Sequence, residues 1–132
     1  MGRFILTDTG GGIYFSLLGD DGRELLHSQI YKTEMYCRSG IRSVRKNSLA
    51  RVENLTVPIQ DPGKCPKFEI YQDDENVYRF RLRAKNGQLI AHSVHGFDEA
   101  DGCVRCIAEI RRVAKKAQED VRVLKSPQQT AV

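Results

Sequence analysis

Cys103-x-x-Cys106 has the spacing of a zinc knuckle or a redox pair. Both residues fall in a stretch of helical periodicity, however, and Cys103 takes the inward position that Cys37 takes earlier in the chain. A structural zinc commonly uses four ligands from two short knuckles, whereas Cys37 and Cys65 are isolated. Buried apolar thiols are the better account, so no metal and no disulfide are expected. His27-Ser28 and His92-Ser93 set a base beside a nucleophile. Neighbours on a strand point to opposite faces, so neither pair forms a dyad and no catalytic residue is assigned. Asp73-Asp74-Glu75 and Asp98-Glu99 with Asp101 lack the ordered spacing of a calcium loop. The second cluster suits a helix N-terminus, with Arg111, Arg112, Lys115 and Lys116 at the other end. Gly10-Gly11-Gly12 lies between two strand-like runs with no Walker lysine, so neither a phosphate loop nor a cofactor is expected.

The remaining candidate is a row of arginines. Asn86-Gly87 is a two-residue hairpin signal, which sets Lys85 opposite Gln88, Arg83 opposite Ile90, Arg81 opposite His92 and Phe80 opposite Ser93. Phe80, Leu82, Ala84, Leu89 and Ala91 then share a core face. Arg79, Arg81, Arg83 and His92 share the other, joined by Tyr71 of the preceding strand. An aromatic ring and three arginines on an open sheet could stack bases and hold phosphates, making single-stranded nucleic acid a candidate partner. The competing and favoured account is a solvated face with Glu69 paired to an arginine across the strands, worth about 0.2–1 kcal/mol. The same register argument at Asp21-Gly22 places Leu18 opposite Leu25 on the outer side, a candidate protein contact unless a loop or strand covers them.

The elements that must position these residues follow from periodicity. Residues 3–8 alternate as a half-buried strand, Ile13 to Leu18 is a second and Glu24 to Ser28 a third. From Thr33, a candidate N-cap, Cys37, Ile41 and Val44 fall at helical spacing, and residues 49–57 return to strand composition. The segment PIQDPGKCP is a linker. The order then recurs: Phe4 matches Phe68, Phe15 matches Phe80, Asp21-Gly22 matches Asn86-Gly87, His27-Ser28 matches His92-Ser93, and Ile41 matches Ile107. The second helix is expected from an Asp98 cap to Ala117, followed by a strand over residues 121–124 and a disordered tail over 125–132.

The boundaries are therefore a first repeat over 1–57, a linker over 58–66, a second repeat over 67–124 and the tail. Each half of about 60 residues is marginal as an independent core, which predicts one folded unit. The fold class is α+β: two tandem β-β-β-α-β repeats forming one antiparallel sheet, covered on one face by two helices about a pseudo-twofold axis. With 40% hydrophobic and 29% charged residues the composition is globular, and the +4 net charge divides evenly between residues 1–66 and 67–132, leaving no charged tail. No run resembles a signal peptide or membrane span, so a cytoplasmic monomer with an internal pseudo-dimer is expected.

The second half resembles the YegP-like family of small bacterial proteins of unknown function. The resemblance rests on the strand Lys67 to Tyr71, the strand Tyr78 to Leu82, the turn Asn86-Gly87, and Ile90-Ala91 with Ser93. The family's helix motif stands in the first half as Gly40, Ile41, Ser43, Val44 and Asn47. The resemblance implies two β3-α-β units in one sheet, with the strand after each helix swapped into the other unit. It implies no reaction, cofactor or catalytic residue. The function expected is a non-enzymatic structural or protein-interaction module, with single-stranded nucleic-acid binding the alternative.

Overall fold

A computed structural model of the chain describes residues 2–58 and 63–123. In chain order the elements are β1 (Arg3–Asp8), β2 (Ile13–Leu18), β3 (Glu24–Ser28), α1 (Glu34–Asn47), β4 (Arg51–Asn54), β5 (Lys67–Gln72), β6 (Tyr78–Arg83), β7 (Leu89–His92), α2 (Ala100–Val113) and β8 (Gln118–Val123). Alternation puts Phe4, Leu6, Phe15, Leu17, Phe68, Phe80 and Leu82 on one side of the strands. There they form a single buried cluster with Cys37, Ile41 and Val44 of α1 and Cys103, Ile107 and Ile110 of α2.

The strands form one eight-stranded sheet in the order β4-β5-β6-β7-β3-β2-β1-β8. Each half contributes an antiparallel meander, and the two meet where His27 of β3 pairs with His92 of β7. The outermost pairs are different. β4 runs parallel to β5, with Glu53 opposite Glu69, and β8 runs parallel to β1, with Leu6 opposite Val121. The expected all-antiparallel sheet is thus corrected to a mixed one. Parallel neighbours need long crossovers rather than hairpins, and turn signals carry no information about them. α1 lies over β1, β2 and β7, while α2 lies over β3, β5 and β6, so each helix bridges the seam between the halves. Neither half owns a separate core.

Side chains secure the pseudo-twofold arrangement. Ser28 Oγ accepts from the Phe15 amide at 2.9 Å, and Ser93 Oγ accepts from the Phe80 amide at 3.1 Å. Arg45 donates to the carbonyls of Ala114, Lys115 and Ala117 at 3.0, 3.0 and 2.7 Å, and Arg111 donates to the carbonyl of Ala50 at 2.6 Å. Each guanidinium therefore satisfies carbonyls beyond the end of the other helix, where intrahelical partners run out.

Three expectations need correction. The Asn86-Gly87 and Asp21-Gly22 turns are not two-residue hairpins. In each, the glycine amide closes onto the carbonyl three residues back (Ala84, Gly19), and Gly87 and Gly22 sit at φ +87° and +84°. A glycine in the left-handed region after a tight turn inserts one extra residue, and the register shifts between Leu82 and Arg83 and between Leu17 and Leu18. Arg83 consequently faces Leu89, which is exposed, and Ile90 turns into the core instead. By the same shift Leu18 faces Glu24, while Leu25 is 2% exposed and packs in the core, so the two leucines do not form an exposed apolar pair. Finally, α2 is capped at Glu99 without a side-chain bond and ends at Val113, and β8 begins already at Gln118. The expected tail, 125–132, and part of the linker lie outside the described residues.

Candidate recognition face of the sheet

Both helices cover one face of the sheet, leaving the other open. Across the centre of that open face runs a row of flat side chains from five adjacent strands. Tyr14 of β2 lies against His27 of β3 with centroids 4.6 Å apart, and His27 lies 5.6 Å from His92 of β7. His92 pairs in register with Arg81 of β6, whose guanidinium lies 4.5 Å from the ring centroid of Tyr71 on β5. Four strand spacings make this row about 19 Å long. Neighbouring rings are tilted by 34° and 41°, and the Arg81 guanidinium lies over the Tyr71 ring.

Beside the row lies an ion-pair network. Glu69, with a side chain only 8% exposed, accepts from Arg81 Nε at 2.8 Å and Arg83 Nε at 2.6 Å, and Lys67 Nζ approaches it at 3.4 Å. Lys67 also donates to Glu53 at 2.8 Å, and Arg51 reaches the other oxygen of Glu53 at 3.1 Å. Burial alone would push the Glu69 carboxyl up. The bonds from Arg81 and Arg83 outweigh it and bring the group down to about 2. Glu53 is held below the usual carboxylate range by the Lys67 bond and the Gly63 amide. Arg79 pairs with Asp73 at 2.8 Å, and the same carboxylate accepts from the amides of Glu75 and Val77, fixing the β5–β6 turn.

The structure therefore brings Tyr71, Arg79, Arg81, Arg83 and His92 to one face. Each arginine there already has a carboxylate partner: Asp73 for Arg79, and Glu69 for Arg81 and Arg83. Sequence reasoning placed Tyr14 at a matching first-half position but did not join it to this row, and it missed His27, Lys67 and Glu53 as members of this face. Lys67 could have been found from the alternation Lys67, Glu69, Tyr71, and His27 from its match to His92 in the repeat. Glu53 had no sequence signal, because its place depends on the parallel β4–β5 pair.

The other candidates separate. Cys103 is buried in the core, and the Cys106 thiol points at the Leu25 carbonyl. Burial pushes the Cys37 and Cys103 thiols up to about 11 and that of Cys106 up to about 12, so all three are poor nucleophiles at neutral pH. Ser28 and Ser93 bond backbone amides, while His27 and His92 lie on the open face. Among the described residues, no three metal-ligating side chains converge. No helix among them is long and apolar enough to cross a membrane.

These features define a tandem-repeat α+β protein with one mixed sheet, two helices on one side and an ion-paired open face on the other. The chain belongs to the family described as "Domain of unknown function (DUF1508)", which matches it twice, over residues 8–53 and 73–120. A UPF0339 protein of Methanosarcina acetivorans is 46% identical over 52 residues, 39% of this chain and 88% of its own length. One from Pseudomonas aeruginosa is 32% identical over 83 residues, 63% of each chain. Among solved structures, the solution NMR structure of the Escherichia coli protein of unknown function yegP superposes with a TM-score of 0.71 at 23% identity, covering 95% of this chain and 94% of that one. A UPF0339 protein from Shewanella oneidensis superposes at 0.70 and 20% identity, covering 99% and 98%. The family is YegP-like, and the structural likenesses speak to the fold.

Proposed function

We propose that the protein is a non-enzymatic interaction module presenting the open sheet face around Tyr71, Arg79, Arg81, Arg83 and His92 to a protein partner. The observation that carries this reading is the pairing of Arg81 and Arg83 with Glu69 and of Arg79 with Asp73. A phosphate backbone would have to displace those carboxylates, whereas a protein surface can pack against a charge-balanced patch rich in tyrosine and arginine. In the same reading the chain is a cytoplasmic monomer, residues 1–57 and 67–124 form one unit across the 58–66 linker, and β4 and β8 are strands exchanged between the repeats.

Affinity capture from the source cell tests this, comparing the wild-type chain with a Tyr71→Ser, His92→Glu double variant, each with and without nuclease. A protein that survives nuclease and is lost with the variant is the expected result. Capture indifferent to the variant overturns the assignment of the face. Nuclease-sensitive capture favours the second reading, single-stranded nucleic acid on the same face, which the Tyr14–His27–His92–Arg81–Tyr71 row supports. On that reading single-stranded RNA or DNA at low salt shifts the amide resonances of Arg79, Arg81 and Arg83. Unmoved resonances would sink it.

A further inference from the structure

The repeat places an equivalent groove beside each helix, and the two grooves have diverged. One, about 590 Å³, lies between α1 and the β6–β7 turn, with Tyr31, Ser43 and Asn47 inside and Tyr36, Lys46 and Lys85 at the exposed edges. Its counterpart, about 720 Å³, lies beside α2 and is lined by Phe97, Cys106, Glu109, Arg105, Arg23 and Glu24. Both volumes are in the range of small-molecule sites. Among the described residues, no carboxylate lines the first groove beside its two lysines, whereas the second balances two arginines with two glutamates.

The second groove acts as an internal control on what the fold requires. The Tyr31 ring stacks on Phe15 with centroids 6.4 Å apart, as the Phe97 ring stacks on Phe80 at 6.4 Å, so the ring is common to both halves, whereas the Tyr31 hydroxyl, which bonds the Gln29 side chain, is found in one. Gly40 makes room for that hydroxyl, because a β-carbon there would collide with it, and the matched Cys106 lines a groove whose ring, Phe97, has no hydroxyl. At the positions of Ser43 and Asn47, α2 carries Glu109 and Val113 and still packs on the sheet. Asn47 is 8% exposed, and its Nδ2 donates to Ser43 O at 2.8 Å. Tyr31 and Ser43 are half-buried, and the other half of the molecule shows that the scaffold stands without this set of polar groups.

We propose that the groove between α1 and the β6–β7 turn is a binding site for a small anionic polyol, a phosphate- or carboxylate-bearing sugar derivative. Lys46 and Lys85 receive the anion, and Tyr31, Ser43 and Asn47 bond the hydroxyls. This site is separate from the open sheet face and does not depend on how that face is used.

Amide resonances of the full-length chain are followed while ribose 5-phosphate, gluconate, ribose and inorganic phosphate are titrated in turn. Saturable shifts confined to residues 29–31, 36–47 and 84–90 are expected with ribose 5-phosphate, gluconate or both, which distinguishes phosphate from carboxylate. Binding should be at least about tenfold tighter than for ribose or inorganic phosphate. The Tyr31→Phe, Ser43→Glu double variant imports the residues that the second half already tolerates, and it should weaken binding at least about tenfold while keeping the spectrum of a folded chain. Lys85→Gln, on an exposed turn, should weaken it severalfold. The proposal is overturned if inorganic phosphate alone reproduces the response, an adventitious ion only. It is equally overturned if residues 23–25 and 102–109 shift as strongly, if neither anionic polyol gives saturable shifts, or if both variants bind like the wild type.

Discussion

The two halves share a backbone plan across the β3–β7 seam and differ in what they place outside it. On the open face the second half sets Lys67, Glu69, Arg81 and Arg83 where the first half has Arg3, Ile5, Ser16 and Leu18. Beneath the sheet the matched positions are alike: Phe4 and Phe68, Phe15 and Phe80, Cys37 and Cys103, and Ile41 and Ile107 are all buried. Ser28 and Ser93 make the same bond to the amide of the matched phenylalanine. The comparison teaches that the core and these serine bonds are what the repeat must keep. The open face and the grooves are where one half departs from the other.

That contrast can be broken most forcefully in the core. Phe15→Ala and Phe80→Ala should each cost about 3–5 kcal/mol, both lowering the midpoint of one cooperative urea transition, because the helices tie the halves together. Two separate transitions, each sensitive to only one substitution, would show the halves to be independent. Glu69→Gln probes a position where the halves differ, Ile5 being the first half's match. Its loss leaves Arg81 and Arg83 without their carboxylate and should cost about 1–3 kcal/mol near neutral pH. Because folding lowers the Glu69 pKa from 4.5 to about 2, its contribution is full above the ordinary carboxylate value and is lost as pH falls toward 2. Urea midpoints of wild type and variant should therefore converge in acid, and a difference that persists at pH 2 would refute the ion-pair account. The smallest effect separates the helix starts. Thr33→Ala, removing the bond that Tyr36 N donates to Thr33 Oγ1 at 3.2 Å, should cost about 1 kcal/mol. Glu99→Ala, whose side chain makes no cap bond, should change thermal stability by much less.

Most of the elements were legible because their signals are local. Alternation marked β1, β5 and β6, a short apolar run marked β2, and helical spacing with a threonine cap marked α1. The register of the two bulged hairpins was not legible, because Asn-Gly and Asp-Gly are compatible with turns of two lengths, and the choice decides whether Leu25 or Ile90 faces the core. Of the open face, alternation within β5 to β7 was enough to gather Tyr71, Arg79, Arg81, Arg83 and His92. It could not supply Glu53, which joins through the parallel β4–β5 pair, or show that Tyr14 and His27 continue the row across the seam.

By itself, then, the sequence determined the repeat, the strand and helix types and the inward-facing residues outside the two bulged hairpins, since these depend on periodicities a few residues long. Tertiary structure alone decided that β4 and β8 lie parallel at the outer edges, that Glu69 binds two arginines at once, and that α1 faces the β6–β7 turn across a groove. Each of these joins residues far apart in the chain through packing of a shared core, and no local pattern encodes which distant surface a strand edge or helix flank will meet.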